Sequence, residues 1–462
     1  MVVAAAATVG IVASDRSDDG QPGRPSSPEP HPSGLPGSRL ATDLGLNATN
    51  NGASNREKLV SALSGSSVSV VFPPGDYVID NGGTPVVVKG FSGQLVMLPG
   101  ARLVFTDSTK RGLIFDGGNR AKVSGLTTAF VTMPSSRNGV EECITFQNTT
   151  DTLVEDIQIT GAAAAGLLFW ECTRPTVSRA VIRHTMADGL HFANCQDGRA
   201  DQITTLDTGD DGVAFVNYAS GPPNTGGVAT NITVTRSKSR GVSVVGQSGV
   251  TVRDVRVEST AGHGLYCAYE ASWKTRTPSD VVFERAQVTS AGVGVDGVGG
   301  GNSGVRVDTA GPVVISKITV EKPGRHGFSI AQSTVTVTDS TVLNTPEHGF
   351  HIQDSTCTLD RLTAEGTNGI GLNATGCARL EFGSVTLRNT ARTNKSHRAV
   401  SLDNNAYVFG GRTWVADTQK PATGYVLAVS GNQRGNLGTV VDHVDSADLV
   451  MENTSGLPWA PA

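Results

Sequence analysis

Two short segments of the sequence carry closely spaced acidic side chains. Asp188 opens the segment DGLHF, and Asp210 and Asp211 precede the related segment GVAF, so the pattern recurs after 211 − 188 = 23 residues. Neighbouring carboxyl groups can act as a general acid and a general base, because repulsion between like charges favours protonation of one of them. The three aspartates are therefore the candidate catalytic residues.

The Gly-apolar-variable-apolar pattern around these acids recurs along most of the chain. Its glycines are Gly166, Gly189, Gly212, Gly241, Gly264, Gly292, Gly327, Gly349 and Gly369. Most periods also contain a second strand-like stretch, and neither a leucine consensus nor a helical half-repeat is present. The pattern predicts an all-β solenoid, a parallel β-helix with coils of about 20–29 residues.

Stacked coils place equivalent residues in columns about 4.8 Å apart. The residues before the repeat glycines form one such column: Ala165, Asp188, Asp211, Arg240, His263, Ala291, His326, His348 and Asn368. Strand alternation turns His191 and Tyr266 outward beside it. Arg240, His263, His191 and Tyr266 are therefore candidate substrate-binding residues. Strict alternation cannot point both Asp210 and Asp211 outward, so a bulge or turn is expected between Gly209 and Gly212.

The longest intervals between repeats predict loops that leave the solenoid after the acidic residues. These loops carry Tyr218, Trp273 and Lys274. Aromatic rings stack on apolar faces and keep a polar tip, which suits sugar binding. The same side chains could instead pack against the side of the solenoid.

The bulk composition restricts the partners. The net charge is −5, and no Lys/Arg-rich block occurs, so neither nucleic acid nor an anionic membrane is expected. No Cys/His spacing indicates a zinc site, and we expect neither a metal nor another cofactor.

Two cysteine pairs, Cys172 with Cys195 and Cys357 with Cys377, share a phase of the repeat and could form disulfides or stacked thiols.

The N-terminus differs in composition from the rest of the chain. Residues 1–13 form an apolar segment typical of a signal peptide, and residues 14–44 are a Pro/Ser/Gly-rich linker expected to be disordered. Residues 45–462 are expected to form a single β-helix domain. We predict a secreted monomer, with no membrane contact in its mature form unless the apolar segment is retained as an anchor.

The start of the predicted domain resembles a known superfamily. A short amphipathic helix after Asn55, with Leu59 and Leu63 on one face, precedes a Pro73-Pro-Gly-Asp-Tyr77 turn. This arrangement is similar to the N-terminal part of the pectate-lyase-like superfamily. The resemblance implies a right-handed parallel β-helix whose open end is capped by the helix, which protects exposed strand edges.

The acidic segments resemble those of polygalacturonase-type glycoside hydrolases and of their β-helix relatives that act on neutral α-glucans. By that resemblance, Asp188 in ADGLHF matches the first acid, and Asp210 and Asp211 in TGDDGVAF match the adjacent pair. It implies an inverting hydrolase in which Asp210 donates the proton while Asp188 and Asp211 hold the water. Inversion generally requires about 6.5–9.5 Å between the two carboxyl groups.

Departures from the polygalacturonase pattern argue against a galacturonan substrate. Ser239-Arg240-Gly241 stands where those enzymes carry Gly-His-Gly, which occurs here one coil later around His263. Tyr266-Cys267-Ala268 replaces their Arg-Ile-Lys and has no cation. We therefore expect a polysaccharide hydrolase acting on another polymer.

Two alternatives remain at the level of sequence. The first is a Ca²⁺-dependent lyase of a uronate polymer, with Arg240 or Lys238 as its base. The second is a non-catalytic glycan-binding β-helix.

Overall fold

The repeated pattern forms short parallel strands that stack along one axis. The computed structural model describes residues 37–392, 398–416, 427–442, 451–458 and 460–461. Within these ranges all pairings between named strands are parallel, and the strands form two sheets of 23 and 15 strands. The chain is thus a parallel β-helix, as predicted from the repeat. The N-terminal segment 1–13 and linker residues 14–36 lie outside the described ranges.

One sheet, the short-strand sheet, receives one strand of three or four residues from each coil. Its strands are Val87–Lys89, Leu113–Asp116, Ile144–Gln147, Leu167–Trp170, Leu190–Ala193, Val213–Val216, Val242–Val245, Leu265–Ala268, Val305–Asp308, Phe328–Ala331, Phe350–Gln353, Leu372–Thr375, Val400–Asp403, Leu427–Ser430 and Met451–Asn453.

The other sheet, the long-strand sheet, completes each coil. Its strands are Ser38–Leu40, Ser69–Phe72, Gly75–Ile79, Gln94–Met97, Ala101–Phe105, Lys122–Ser124, Thr127–Phe130, Leu153–Ala162, Thr176–Thr185, Gly198–Thr208, Thr225–Thr235, Ser248–Thr260, Val281–Ala291, Val313–Glu321, Thr334–Thr338, Thr341–Leu343, Thr356–Asp360, Leu362–Glu365, Arg379–Arg388, Tyr407–Ala416, Arg434–Asn436, Thr439–Asp442 and Ala460–Pro461. Strand Ser38–Leu40 pairs with Ser69–Phe72, so the packed part of the chain begins inside the range 14–44 expected to be a linker.

The predicted helix is present near the N-terminus and spans Gly52–Leu63. It begins one turn earlier than predicted: Asn51 is the N-cap and accepts a hydrogen bond from the Ser54 backbone N–H at 2.8 Å, whereas Asn55 is buried inside the helix. Leu59 and Leu63 are fully buried in the solenoid core. Two short 3-10 helices, Thr42–Leu44 and Ala271–Trp273, complete the helical content of the described chain. No helix among the described residues is long and apolar enough to cross a membrane.

Aromatic side chains stack along the interior, because each coil repeats the same inward position. Phe115, Phe146, Phe169, Phe192 and Phe215 occupy successive coils, with neighbouring ring centroids 4.7, 5.3, 5.2 and 4.8 Å apart. All five are almost completely buried. The core therefore fixes the register of the coils that carry Asp188 and Asp211.

Two of the nine predicted repeat glycines were assigned wrongly. Leu265 pairs with Val305 and Phe350 pairs with Leu372, so the coil glycines there are Gly304 and Gly371 instead of Gly292 and Gly369. The local sequences GVGV and GIGL mimic the repeat, but pairing follows the strands that supply a complete row of buried residues. The step from Gly264 to Gly304 is 40 residues, longer than the predicted coils. Ser303 and Ile370 consequently replace Ala291 and Asn368 in the acidic column.

The cysteines are buried free thiols. Cys172 and Cys195 occupy equivalent positions in adjacent coils, which agrees with the stacked-thiol alternative. The second predicted pair does not share a position, because Cys357 pairs with Leu380 once the coil glycine is Gly371.

The repeat glycines are required by close packing between the two sheets. A Cβ added at Gly327 would lie 2.3 and 2.5 Å from the Val342 methyl groups and 2.6 Å from the Gly349 carbonyl oxygen. No side chain fits there without displacing the long-strand sheet.

We expect Gly327→Ala to lower the free energy of unfolding by about 1–3 kcal/mol, the usual cost of overpacking. Urea denaturation followed by circular dichroism measures the effect. Gly82→Ala is the matched control, because an added Cβ there would meet only carboxylate oxygens, the nearer at 3.3 Å. Equal urea midpoints for the two variants would contradict the packing role of the repeat glycine.

Candidate active site

A bend in the backbone brings Asp210 and Asp211 to the same side of the solenoid. The strand Gly198–Thr208 ends before them and the strand Val213–Val216 begins after them, so alternation does not apply. The Thr208 hydroxyl donates to the Asp210 carbonyl oxygen at 2.9 Å and stabilises the bend. At Gly209, an added Cβ would lie 2.3 Å from the Met186 carbonyl oxygen. The turn expected between Gly209 and Gly212 is present.

The predicted acids meet in a cleft of about 300 Å³ on the outer face of the short-strand sheet. Asp188, Asp210 and Asp211 all line it, and one carboxylate oxygen of each lies within 4.8 Å of one oxygen of the other two. These distances join the nearest oxygen atoms, whereas the separation of about 6.5–9.5 Å for inversion is measured between whole carboxyl groups. The cleft thus brings together the three residues that the sequence predicted.

Backbone hydrogen bonds between coils hold the acidic column in register. The Gly189 N–H donates to the Asp211 carbonyl oxygen at 2.9 Å, and the Gly212 N–H donates to the Arg240 carbonyl oxygen at 3.0 Å. Asp188, Asp211 and Arg240 are therefore successive members of one column, as predicted.

Asp211 is the most strongly held of the three acids. Its Oδ1 accepts a hydrogen bond from the Arg240 backbone N–H at 3.0 Å. Its Oδ2 accepts from the Ser243 hydroxyl at 2.5 Å and from Arg240 Nη1 at 3.4 Å. The side chain is almost completely buried but faces the cleft. Three hydrogen-bond donors thus hold this carboxyl group in place.

Asp188 is held by two donors. Its Oδ1 accepts from the Asp211 backbone N–H at 2.9 Å, and its Oδ2 lies 2.8 Å from His191 Nδ1. The first contact ties the column across adjacent coils, and the second orients the imidazole. Asp188 is thus also placed to act as a carboxylate.

Asp210 differs from its neighbours because its side chain is more exposed and has a single side-chain partner. Arg137 Nη1 lies 2.7 Å from Asp210 Oδ2. Arg137 belongs to the segment 131–142, which precedes the strand Ile144–Gln147 and therefore reaches across several coils to this acid. Nothing in the repeat pattern predicts this contact.

His191 is surrounded by carboxylates. Burial alone would lower its pKa, but the hydrogen bond that its Nδ1–H donates to Asp188 and the charges of Asp188, Asp211 and Glu142 outweigh burial and raise the pKa of His191 above its usual 6.5. The imidazole therefore retains a proton more readily than an exposed histidine. Its Nε2 is buried and has no hydrogen-bond partner.

The predicted substrate-binding residues separate into two groups. His191, Arg240, Tyr218 and Trp273 line the cleft together with the acids. His263, Tyr266 and Lys274 do not line it. His263 is still the next member of the predicted column, because the Gly241 N–H donates to its carbonyl oxygen at 2.9 Å.

Tyr266 packs against Arg240, and His263 packs against Tyr266. The Arg240 guanidinium lies 4.1 Å from the centre of the Tyr266 ring, and that ring stacks on His263 at 5.5 Å with an angle of 4°. His263 Nδ1 accepts from the Ser303 backbone N–H at 3.0 Å, and burial lowers the pKa of His263 to about 4. Both residues therefore position Arg240 through packing. Lys274 follows a short 3-10 helix and is exposed.

Four charged or aromatic residues of the cleft were not predicted from the sequence: Arg137, Glu142, Trp170 and Glu270. Glu142 belongs to the acidic column, because Gly112 N–H donates to its carbonyl oxygen and Cys143 N–H donates to that of Ala165. Cys143 occupies the glycine position of this coil, which concealed the repeat. Extending the column by one coil toward the N-terminus would have identified Glu142.

Glu142 is a buried carboxyl group. Burial raises its pKa, although Arg111, whose Nε lies 3.2 Å from Glu142 Oε2, opposes the shift.

Glu270 forms an ion pair with Arg240. Arg240 thus bridges Glu270 and Asp211 across the cleft.

Comparison with solved structures identifies similar folds. The catalytic domain of a GH87 α-1,3-glucanase variant in complex with tetrasaccharides superposes with a TM-score of 0.54 at 14% identity, over 76% of this chain and 67% of the other. A family 28 exopolygalacturonase of Yersinia enterocolitica gives a TM-score of 0.52 at 12% identity, over 74% and 77%. At these identities the likeness concerns the fold. No curated protein matches the sequence significantly.

A family model also matches the sequence directly. It describes a right-handed β-helix region and matches residues 111–279 and 223–394, which together span more than half of the chain. These residues include the acidic column and the cleft. The chain therefore belongs to the right-handed β-helix family.

Proposed function

We propose that this protein is a secreted glycoside hydrolase that cleaves a polysaccharide with Asp188, Asp210 and Asp211. The observation that carries the proposal is the meeting of three carboxylates in one cleft walled by aromatic side chains. Its support from comparison is the occurrence of glycoside hydrolases among proteins of similar fold. Secretion is part of the same proposal, and the signal-like composition of residues 1–13 supports it.

The environments of the acids suggest different roles. Asp188 and Asp211 accept hydrogen bonds from backbone N–H groups and are suited to hold a water molecule as carboxylates. Two hydrogen bonds of about 2.8 Å can span up to about 5.6 Å, so one water fits between carboxylate oxygens at the observed spacing. Asp210 is the most exposed acid and would donate the proton to the leaving oxygen. In this inverting scheme the water attacks while Asp210 protonates the departing sugar.

A neutral polysaccharide fits the cleft better than a uronate. The two arginines that line it are already paired, Arg137 with Asp210 and Arg240 with Asp211 and Glu270. A substrate carboxylate would have to compete with these acids for the arginines. We therefore infer a neutral polymer as substrate.

The acid cluster also bears on the lyase alternative, because three carboxylate oxygens within 4.8 Å could surround a cation such as Ca²⁺. Each of these acids, however, already has a cationic or potentially cationic partner: His191 for Asp188, Arg137 for Asp210 and Arg240 for Asp211. Positive side chains beside the oxygens oppose cation binding. The hydrolase is therefore the favoured proposal.

We expect Asp210→Asn to reduce kcat for polysaccharide hydrolysis by about 10²–10⁴-fold, the usual contribution of a general acid. Reducing-sugar release from a panel of plant, fungal and bacterial polysaccharides measures it. Asp207→Asn is the control, since Asp207 pairs with Arg236 away from the cleft, and it should retain nearly full activity. Wild-type protein that binds glycans but hydrolyses none of the panel would instead favour the non-catalytic alternative.

The chemical form of the first product distinguishes inverting hydrolysis from retaining hydrolysis and from lyase cleavage. We expect NMR of the first product to show the anomer opposite to that of the cleaved bond, because a water held by Asp188 and Asp211 attacks directly. Retention would indicate that one acid acts as a nucleophile. A lyase would give a product that absorbs ultraviolet light, with activity lost in chelator.

The protonation of His191 makes stability depend on pH. Because its pKa is raised in the folded protein, the stabilisation is fully present below the ordinary pKa of 6.5 and is lost as the pH rises through the folded value. We expect the stability difference between wild type and His191→Asn to be largest near pH 5 and to shrink above pH 6.5. Urea unfolding from pH 5 to pH 9 measures this difference. A difference that does not vary with pH would show that His191 has no raised pKa.

A further inference from the structure

The cleft extends beyond the three aspartates toward the N-terminal coils. The column position that holds Asp188, Asp211 and Arg240 in three coils is occupied by Ala165 in the coil before them, and Glu142 occupies it one coil earlier. Two coil steps separate Glu142 from Asp188, which is about 10 Å at the spacing of hydrogen-bonded strands. Between them the cleft is lined by small side chains, among them Ala164 and Ala187. We call this part of the cleft the alanine-lined recess.

Two buried polar atoms of residues lining this region lack hydrogen-bond partners. Glu142 Oε2 makes an ion pair with Arg111 but no hydrogen bond, and His191 Nε2 has no partner. The whole Glu142 residue is only 6% exposed. Buried polar groups normally find partners, because leaving them unpaired is costly. A carboxyl oxygen and an imidazole N–H together match a hydroxyl group, which both donates and accepts.

Two aromatic side chains, Trp170 and Tyr218, form a wall of the same cleft. Trp170 is 37% exposed and stacks on Tyr218, with ring centroids 6.0 Å apart and an angle of 25°. The Tyr218 ring lies 6.4 Å from the His191 ring, which joins the aromatic wall to the polar atoms. Ala193 lies beside Trp170 in the next coil and leaves room for the tyrosine. Exposed aromatic faces of this kind suit the apolar face of a sugar ring.

We propose that the alanine-lined recess is a subsite for one neutral sugar residue, whose ring stacks on Trp170 while a hydroxyl group bridges Glu142 and His191. The inference deepens the proposed function and rests on it. The Glu142 carboxyl group also makes the subsite selective, because a uronate carboxylate would meet an acid there. Neither Glu142 nor Trp170 takes part in the cleavage step.

The experiment measures binding separately from cleavage. The full-length Asp210→Asn protein is titrated calorimetrically with neutral oligosaccharides, including α-1,3-linked glucose tetrasaccharide, and with galacturonate oligosaccharides of equal length. We expect neutral oligosaccharides to bind more tightly than the uronates. Adding Glu142→Ala or Trp170→Ala should weaken neutral binding by about tenfold or more, the effect of losing one good contact.

Matched variants separate recognition from structure. Glu142→Gln keeps the shape and a hydrogen-bonding group, so it should weaken neutral binding less than Glu142→Ala and should improve relative binding of the uronates. Glu141→Gln is the control: Glu141 accepts from the Arg111 backbone N–H, is not among the residues that line the cleft, and should leave affinity unchanged. Thermal unfolding of each variant verifies that it is folded.

The outcomes distinguish this inference from the proposed function. Wild-type affinity in folded Glu142→Ala and Trp170→Ala variants, tighter binding of uronates, or binding of no neutral oligosaccharide would each overturn the subsite. If the wild-type protein hydrolyses a polysaccharide and these variants bind normally, the hydrolase stands and the subsite fails. If binding depends on Glu142 and Trp170 but no polysaccharide is cleaved, the subsite stands and the hydrolase fails.

Discussion

Parallel hydrogen bonding between successive coils is the constraint on which the site depends. Each coil sets the position of the next through main-chain contacts such as those from Gly189 to Asp211 and from Gly212 to Arg240. Residues 23 positions apart in sequence thereby become neighbours about 4.8 Å apart. The stacked phenylalanines inside the solenoid hold the same register. A reactive site can therefore form when suitable side chains occupy the same position in consecutive coils.

Such a column brings like charges together, and the surrounding residues compensate for this. Repulsion among three carboxylates would favour protonation of at least one of them. Asp188 and Asp211 are balanced by His191 and Arg240 and by backbone N–H donors, whereas Asp210 depends on Arg137 from a distant segment. The three acids therefore differ in the number and kind of groups that compensate their charge. This difference distinguishes the acids more clearly than their positions in the column do.

The sequence predicted the solenoid well, and it also predicted that Asp188 and Asp211 lie next to each other, because both features follow from the repeat. Each coil has a glycine that permits close packing, followed by a pair of buried apolar residues, and this pattern gives the sequence a visible period. Asp188 and Asp211 each stand directly before such a glycine. The predicted positions were wrong where the period is imitated or hidden. GVGV at Gly292 imitated a strand, and Cys143 hid the coil that carries Glu142. Arg137 reaches the site from outside the repeat, and its contact depends on the path of a loop that carries no periodic signal.

The contact between Arg137 and Asp210 restricts how the proposed acid can work. A protonated carboxyl group gains little from an adjacent guanidinium, while a charged one is stabilised by it, so the ion pair and the proton-donating form oppose each other. In the described arrangement Arg137 Nη1 lies 2.7 Å from Asp210 Oδ2. Loosening of this contact when a substrate enters would therefore favour proton donation by Asp210. Arg137 lies at the edge of the cleft, on the segment 131–142 that leads directly to Glu142. A sugar bound in the alanine-lined recess would therefore lie beside the same segment that carries Arg137.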